Sequence, residues 1–265
     1  MFARFTRRMW ALIIAVTVAI VVVACTSLTS TSSSTGSPSP AGSGSASPAA
    51  QDLAAPHPEP GTVNPPPLKN GLPPIVTHIE TTDKIMFITM DDGWTKDQNI
   101  VDLIKAWNIP VTPFLTKSAI ASNPGYFKTV QAQTGQHIQD HTLTHPFLTK
   151  LDLDGQKKEI CGPADTYADW FGTRPWMVRP PYGSSNATTA QAASDCGMDY
   201  IVNWDSSLPM HAVVFADGNK FKPGDILLTH WRPKLYPDFL RMLNRIAREG
   251  FKVAALQDYL PKRAG

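Results

Sequence analysis

The run Lys84-Ile85-Met86-Phe87-Ile88-Thr89-Met90 is apolar, and it stops abruptly at Asp91-Asp92-Gly93. A short apolar run bounded by a turn signal reads as a buried strand, so this one carries two acids at its C-terminal end. Just beyond it, Ile100, Val101, Leu103, Ile104 and Trp107 fall on one face of a helix over residues 98–107, and after Pro110 a second strand is expected at 111–115. That is a β-α-β unit. The alternation continues with helices at 123–133, 154–171, 188–196 and 236–248, and with strands at 136–140, 176–178, 200–203, 225–229 and 251–256. Alternating elements over this length imply an α/β domain with a parallel sheet, open or closed into a barrel. In a barrel the chemistry sits where strands end. Asp91 and Asp92, His141 and His145, Arg179, Asp205 and His230 each follow an expected strand.

Outside this domain the chain reads differently. Residues 1–25 run from Arg4, Arg7 and Arg8 through an apolar stretch at 10–23 to Ala24-Cys25, the layout of a secretory signal. The apolar stretch is shorter than the ~20 residues of a spanning helix. Val22-Val23-Ala24-Cys25 resembles a bacterial lipoprotein box, which implies lipidation of Cys25. Arg7-Arg8 also resembles a twin-arginine signal, although the flanking residues fit it poorly. Residues 26–74 are mostly Ser, Thr, Pro, Gly and Ala and read as an unfolded spacer, leaving 75–265 as the folded domain. The expected location is the outer face of the cytoplasmic membrane, touched only through the N-terminus, or the medium if the signal is cleaved without lipidation. The 24 basic and 22 acidic residues give a net charge of +2, too little for a strong grip on nucleic acid. Cys161 and Cys196 are the remaining thiols; an exported compartment permits a disulfide between them, and two buried free cysteines are the alternative.

His141-Thr142-Leu143-Thr144-His145 places two histidines four apart, within reach of one metal ion if the segment turns. Pro146 disfavours a helical conformation at His145, so a turn rather than a long helix is expected. Thr142 follows the first histidine where a zincin protease has Glu, so that reading lacks its general base. Alone the spacing is weak. Two histidines and one carboxylate with open positions make a hydrolytic metal site, and adjacent acids at a strand end point to opposite sides, one for the metal and one for substrate or water. A solvated Asp-Asp-Gly turn is the plain alternative; it leaves the histidine pair unexplained.

The ordered set Thr89-Met90-Asp91-Asp92-Gly93, His141-Thr142-Leu143-Thr144-His145, Arg179-Pro180-Pro181-Tyr182-Gly183 and Ile226-Leu227-Leu228-Thr229-His230 resembles the motifs of the polysaccharide deacetylases, carbohydrate esterase family four. The resemblance spans essentially the whole folded domain and implies a distorted, incomplete (β/α) barrel. It implies Asp92, His141 and His145 as ligands of a divalent ion, zinc above others, Asp91 as the general base toward the attacking water, and His230 as the acid toward the departing amine. It further implies that Arg179 orients Asp91, that the backbone N–H of Tyr182 stabilises the developing oxyanion, and that Leu228 and Trp204 line the acetyl pocket. The implied substrate is an acetylated envelope or extracellular polysaccharide such as peptidoglycan or a chitin-like polymer; an O-acetyl esterase and a non-catalytic glycan-binding lipoprotein are the competing functions.

Departures from the family pattern leave some partners open. The acid that usually stands a few residues after a Trp is replaced by Asp205 directly after Trp204, so Asp205 or Asp199 is expected to partner Arg179 and His230. Trp94 and Trp231 stand where Pro and an acid are frequent, and both are expected at the mouth of the site. His57, His78, His137 and His211 are expected to be surface or structural.

Overall fold

The computed structural model describes residues 52–263. In chain order the elements are β1 (Ile75–Val76), β2 (Ile85–Asp92), α1 (Gln98–Ala106), β3 (Val111–Leu115), α2 (Lys117–Ile120), α3 (Pro124–Thr134), β4 (Gln139–Asp140), α4 (Leu153–Phe171), β5 (Met177–Val178), α5 (Ala187–Asp195), β6 (Tyr200–Val202), β7 (Ser206–Met210), β8 (Ala212–Phe215), β9 (Ile226–His230), α6 (Leu235–Arg248), β10 (Lys252–Val253) and α7 (Leu256–Tyr259). The strands form one sheet in the order β1-β6-β5-β4-β3-β2-β9-β7-β8, with β10 also beside β2. All pairings are parallel except the β7-β8 hairpin. This is the incomplete (β/α) barrel expected: a curled parallel sheet with helices on its outside.

β2 is the axis of the domain. Residues Ile85 to Asp91 are all buried, as befits a parallel strand covered on both faces, and β3 and β9 flank it along its C-terminal half. The helices start where the sequence supplies caps. Asp97, Asn123, Asp152 and Asn186 each accept a backbone N–H from the first turn, which satisfies donors a helix N-terminus leaves open. Gly135 and Gly172 end α3 and α4 in the left-handed conformation.

Three expectations need correction. The spacer does not extend to residue 74. Leu53 is buried, its N–H donates to Trp107 O at 3.2 Å, and Ala55 N donates to Val253 O at 2.7 Å. Farther along, Ile201 N donates to Pro74 O at 3.0 Å. This stretch is held by backbone pairing at strand edges, for which side-chain composition gives no signal. The last strand is only Lys252–Val253, and the chain then turns into α7. The β7-β8 hairpin was not anticipated: Met210 and Val214 are exposed on it, and an edge hairpin needs no apolar alternation of its own. Residues 1–25 with Cys25, and the spacer up to residue 51, lie outside the described residues. Among the described residues no helix is long and apolar enough to cross a membrane.

Cys161 on α4 and Cys196 at the end of α5 are joined in a disulfide, with Cα atoms 4.9 Å apart. Closing a loop between residues 35 apart restricts the unfolded chain and stabilises by about 2–4 kcal/mol. Reduction should therefore lower the urea midpoint by an equivalent amount; an unchanged midpoint under reductant would show that the bridge adds nothing.

Candidate active site

The acids and histidines converge from two pairs of neighbouring strands, β2 with β9 and β4 with β5, with β3 between the pairs. Asp91 is in register with His230 across β2-β9, and Asp140 in β4 pairs with Val178 in β5, so His141 and Arg179 emerge together. After β2 the chain turns sharply: Asp92 and Gly93 have φ of 75° and 95°. A Cβ on Gly93 would lie 2.5 Å from Ile120 Cγ2, so only glycine lets the turn pack this closely.

Arg179 is fully buried, and its guanidinium gathers acceptors from several segments. Nη1 donates to Asp91 Oδ1 and to Thr89 Oγ1, each at 2.7 Å; Nε donates to Val202 O at 3.1 Å and Nη2 to Asn203 O at 3.2 Å. Thr89 in turn donates its hydroxyl to Leu227 O. Burial pushes the Arg179 pKa down and the Asp91 charge opposes it, but a guanidinium stays charged in proteins. Asp91 thus has one oxygen fixed, and its Oδ2 lies 3.6 Å from His141 Nε2.

Asp92, His141 and His145 bring three potential ligand atoms within 4.8 Å of one another, a group that could hold a metal ion. Asp92 Oδ1 lies 3.5 Å from His141 Nε2 and 3.3 Å from His145 Nε2, and it is buried without a hydrogen-bond partner. His141 Nδ1 must be the protonated nitrogen, because it donates to the Arg179 carbonyl at 2.8 Å. That leaves the Nε2 lone pair aimed at Asp92. Burial lowers the His141 pKa, and the charges of Asp91 and Asp92 oppose it. A neutral imidazole and an orphaned carboxylate oxygen are the donors a divalent transition ion takes, so the residues fit such a group.

The turn bearing both histidines is clamped from α4, through a device the sequence reading missed. Thr142 and His145 take positive φ of 72° and 65°, consistent with the expected turn before Pro146. Pro163 sits inside α4 and has no N–H for the carbonyl four residues back. That carbonyl, Glu159 O, instead accepts the Leu143 N–H at 2.9 Å. The Glu159 carboxylate accepts the N–H and the hydroxyl of Thr144, both at 2.8 Å. On the other side Asp140 Oδ1 accepts Thr142 N–H at 2.7 Å; burial holds the Asp140 pKa well above the usual carboxylate range. The visible signal was a proline in the middle of an expected helix.

The remaining expected residues divide. Tyr182 has φ of 61° and an exposed ring that stacks on Phe147 at 4.0 Å and meets the His145 ring edge-on at 4.8 Å. Trp204 lies beneath the same turn, against Gly183 and 5.7 Å from the Arg179 guanidinium. Leu228, two residues before His230 in β9, shares its face of the strand. Trp94 is exposed. Trp231, by contrast, is 2% exposed and packs on Tyr126 and Phe127. Strand alternation turns it to the face opposite His230, so it is core and not part of the mouth.

Neither Asp205 nor Asp199 reaches Arg179 or His230. Asp205 accepts from His78 and from Ile226 N–H, and Asp199 accepts the Arg263 N–H. Asp91 is itself the acid partner of Arg179, and among the described residues His230 forms no ion pair.

Comparison with known proteins agrees with this geometry. A family model described as polysaccharide deacetylase matches residues 78–201, a stretch that ends before β9. An uncharacterized protein of Streptomyces coelicolor is 36% identical over 196 residues, covering 71% of this chain and 78% of that protein. The peptidoglycan-N-acetylglucosamine deacetylase PgdA of Listeria monocytogenes is 30% identical over 125 residues, 46% of this chain and 26% of that protein, so the chain spans about a quarter of that relative's length. A family 4 carbohydrate esterase pseudoenzyme from Bacillus anthracis shares the fold with a TM-score of 0.61 at 17% identity, over 72% of this chain and 70% of that one. The chain belongs to the polysaccharide deacetylase family.

The clamp is testable. Glu159→Gln replaces one of two acceptor oxygens by a donor facing the donors of Thr144. Divalent-ion affinity should fall roughly 10-fold to 100-fold, the usual effect of losing an outer partner of a metal ligand, with the circular dichroism spectrum unchanged. Unaltered affinity would show that the turn holds without Glu159.

Proposed function

We propose that the protein is a metal-dependent deacetylase that hydrolyses N-acetyl groups of an envelope or extracellular amino-sugar polysaccharide, of the peptidoglycan or chitin kind. The observation that carries this reading is the buried Asp92 Oδ1, unpartnered between two imidazole Nε2 atoms and beside the Asp91-Arg179 pair. A divalent ion held by Asp92, His141 and His145, zinc before others given imidazole and carboxylate donors, would supply a Lewis acid and lower the pKa of water there.

The chain's own residues do the proton work. Asp91 is the general base. Arg179 fixes Oδ1 through a charge-assisted hydrogen bond, leaving Oδ2 to take a proton from the attacking water. His230, in register with Asp91, gives a proton to the departing nitrogen, which a poor leaving group such as an amine requires. The Tyr182 N–H, presented by the tight turn at Pro181–Gly183, stabilises charge on the acetyl oxygen. Leu228 and Trp204 receive the acetyl methyl, and the exposed Tyr182-Phe147 stack offers an apolar face for a sugar ring.

The disulfide supports an oxidising, exported location, as does the signal-like N-terminus; anchoring through Cys25 completes that reading. One observation favours a second substrate class: His230 has no carboxylate partner among the described residues, and O-acetyl esters, whose leaving group is easier, depend less on that acid.

Acetate release from peptidoglycan, acetylated chito-oligosaccharides and O-acetylated xylan, with and without chelator, tests the reading. Chelator-sensitive release from the N-acetylated polymers is expected. Release from xylan alone would favour the esterase, and none from any would contradict an enzyme. Asp91→Asn should keep its metal and lose about 10²-fold to 10⁴-fold in kcat, the size of a general-base contribution, whereas His141→Ala should lose metal and turnover together. Equal metal loss in the two variants would undo the division between base and ligand.

A further inference from the structure

His78, Asp205 and Asp225 meet at the opposite end of β9 from His230. Asp225 stands just before β9 and Asp205 just before β7, and these strands run in parallel with Ser206 opposite Leu227. Each carboxylate gives one oxygen to a backbone amide: Asp205 Oδ1 accepts Ile226 N–H at 3.0 Å, and Asp225 Oδ2 accepts Lys222 N–H at 2.9 Å. The other two oxygens turn toward one point. His78 Nδ1 lies 2.8 Å from Asp205 Oδ2 and 3.8 Å from Asp225 Oδ1, and the three ligand atoms all fall within 4.8 Å of one another.

The surroundings hold this arrangement in place and crowd two carboxylates against one imidazole. Ile79 N–H donates to Gly224 O at 3.0 Å, and Gly224, at φ of 86°, approaches so closely that a Cβ would fall 1.8 Å from Ile79 O. The loop before Asp225 is thus pinned to the segment bearing His78. Asp225 is 3% exposed. Burial first, and the neighbouring Asp205 charge with it, push the Asp225 pKa up to about 7. The nearby ammonium of Lys222 is engaged by Asp217 at 2.7 Å.

We propose that His78, Asp205 and Asp225 form a second divalent-cation site, separate from the active site, that takes a first-row transition ion and fastens the segment after β1 to the start of β9. The donor set of one imidazole and two carboxylates suits zinc or manganese better than calcium or magnesium. A bound ion would replace the hydrogen bond between His78 Nδ1 and Asp205 Oδ2, the two atoms parting to admit it, and would offset the charge of two adjacent acids. The site tethers sheet elements and takes no part in the reaction, so it does not rest on the proposed activity.

Zinc counting in a chain whose active-site ligands are removed decides this. The full chain carrying Asp92→Asn and His145→Ala is stripped with chelator, dialysed against zinc chloride, and its zinc measured by mass spectrometry alongside its thermal midpoint. The expected result is one equivalent of zinc and a midpoint that rises with zinc. Adding Asp225→Asn or, separately, Asp205→Asn should abolish both, since each amide keeps the oxygen that accepts the backbone N–H and so preserves the local fold. Absence of zinc from the chain lacking only the active-site ligands, or zinc that persists after either added substitution, would overturn the proposal and leave a hydrogen-bonded histidine-carboxylate cluster.

Discussion

The buried guanidinium of Arg179 is the interaction on which the site depends. A buried charge is tolerated only when paired and fully hydrogen-bonded, and here the requirement is met by groups from several strands at once. Asp91 and Thr89 of β2, Val202 at the end of β6 and Asn203 beyond it all accept from it, and the Phe114 ring lies 4.3 Å from it. The backbone carbonyl of the same residue accepts the Nδ1 proton of His141. One residue therefore fixes Asp91 through its side chain and the tautomer of His141 through its main chain. Removing the side chain would leave Asp91 as an uncompensated buried charge and free the ends of β2 and β6 from each other.

The second organising element is a deliberate defect in α4. A proline inside a helix forfeits a hydrogen bond, and the freed Glu159 carbonyl here supports a turn whose left-handed residues could not be held by ordinary ladders. Strain at Thr142 and His145 is thereby sustained by neighbours on both sides: Asp140 from β4 and Glu159 from α4. Rigid support of this kind keeps two imidazoles and Asp92 in a common geometry.

Much of this was legible in the amino-acid order because it follows from period and punctuation. The helices at Gln98–Ala106, Pro124–Thr134 and Leu235–Arg248 bury one face each, and the strands Val111–Leu115 and Ile226–His230 are apolar runs ended by polar residues. That Asp91, Asp92, His141, His145, Arg179 and His230 fall at or just after strand ends follows from that alternation, whereas the order of the strands does not. What was not legible depends on contacts between distant segments. Asp205 looks like a partner for Arg179 because it follows Trp204, yet the chain has by then crossed toward the start of β9, where His78 waits. Trp231 adjoins His230 but faces the core. The 52–74 segment docks through main-chain bonds that its Pro-rich composition does not announce.

The proposed chemistry requires that Asp92, His141 and His145 act together as ligands. Anomalous diffraction at the zinc edge from crystals of the protein grown with zinc measures this directly. A peak about 2.0–2.2 Å from Asp92 Oδ1, His141 Nε2 and His145 Nε2 is the predicted result. Crystals that show anomalous zinc elsewhere on the molecule and none between these three residues would contradict it.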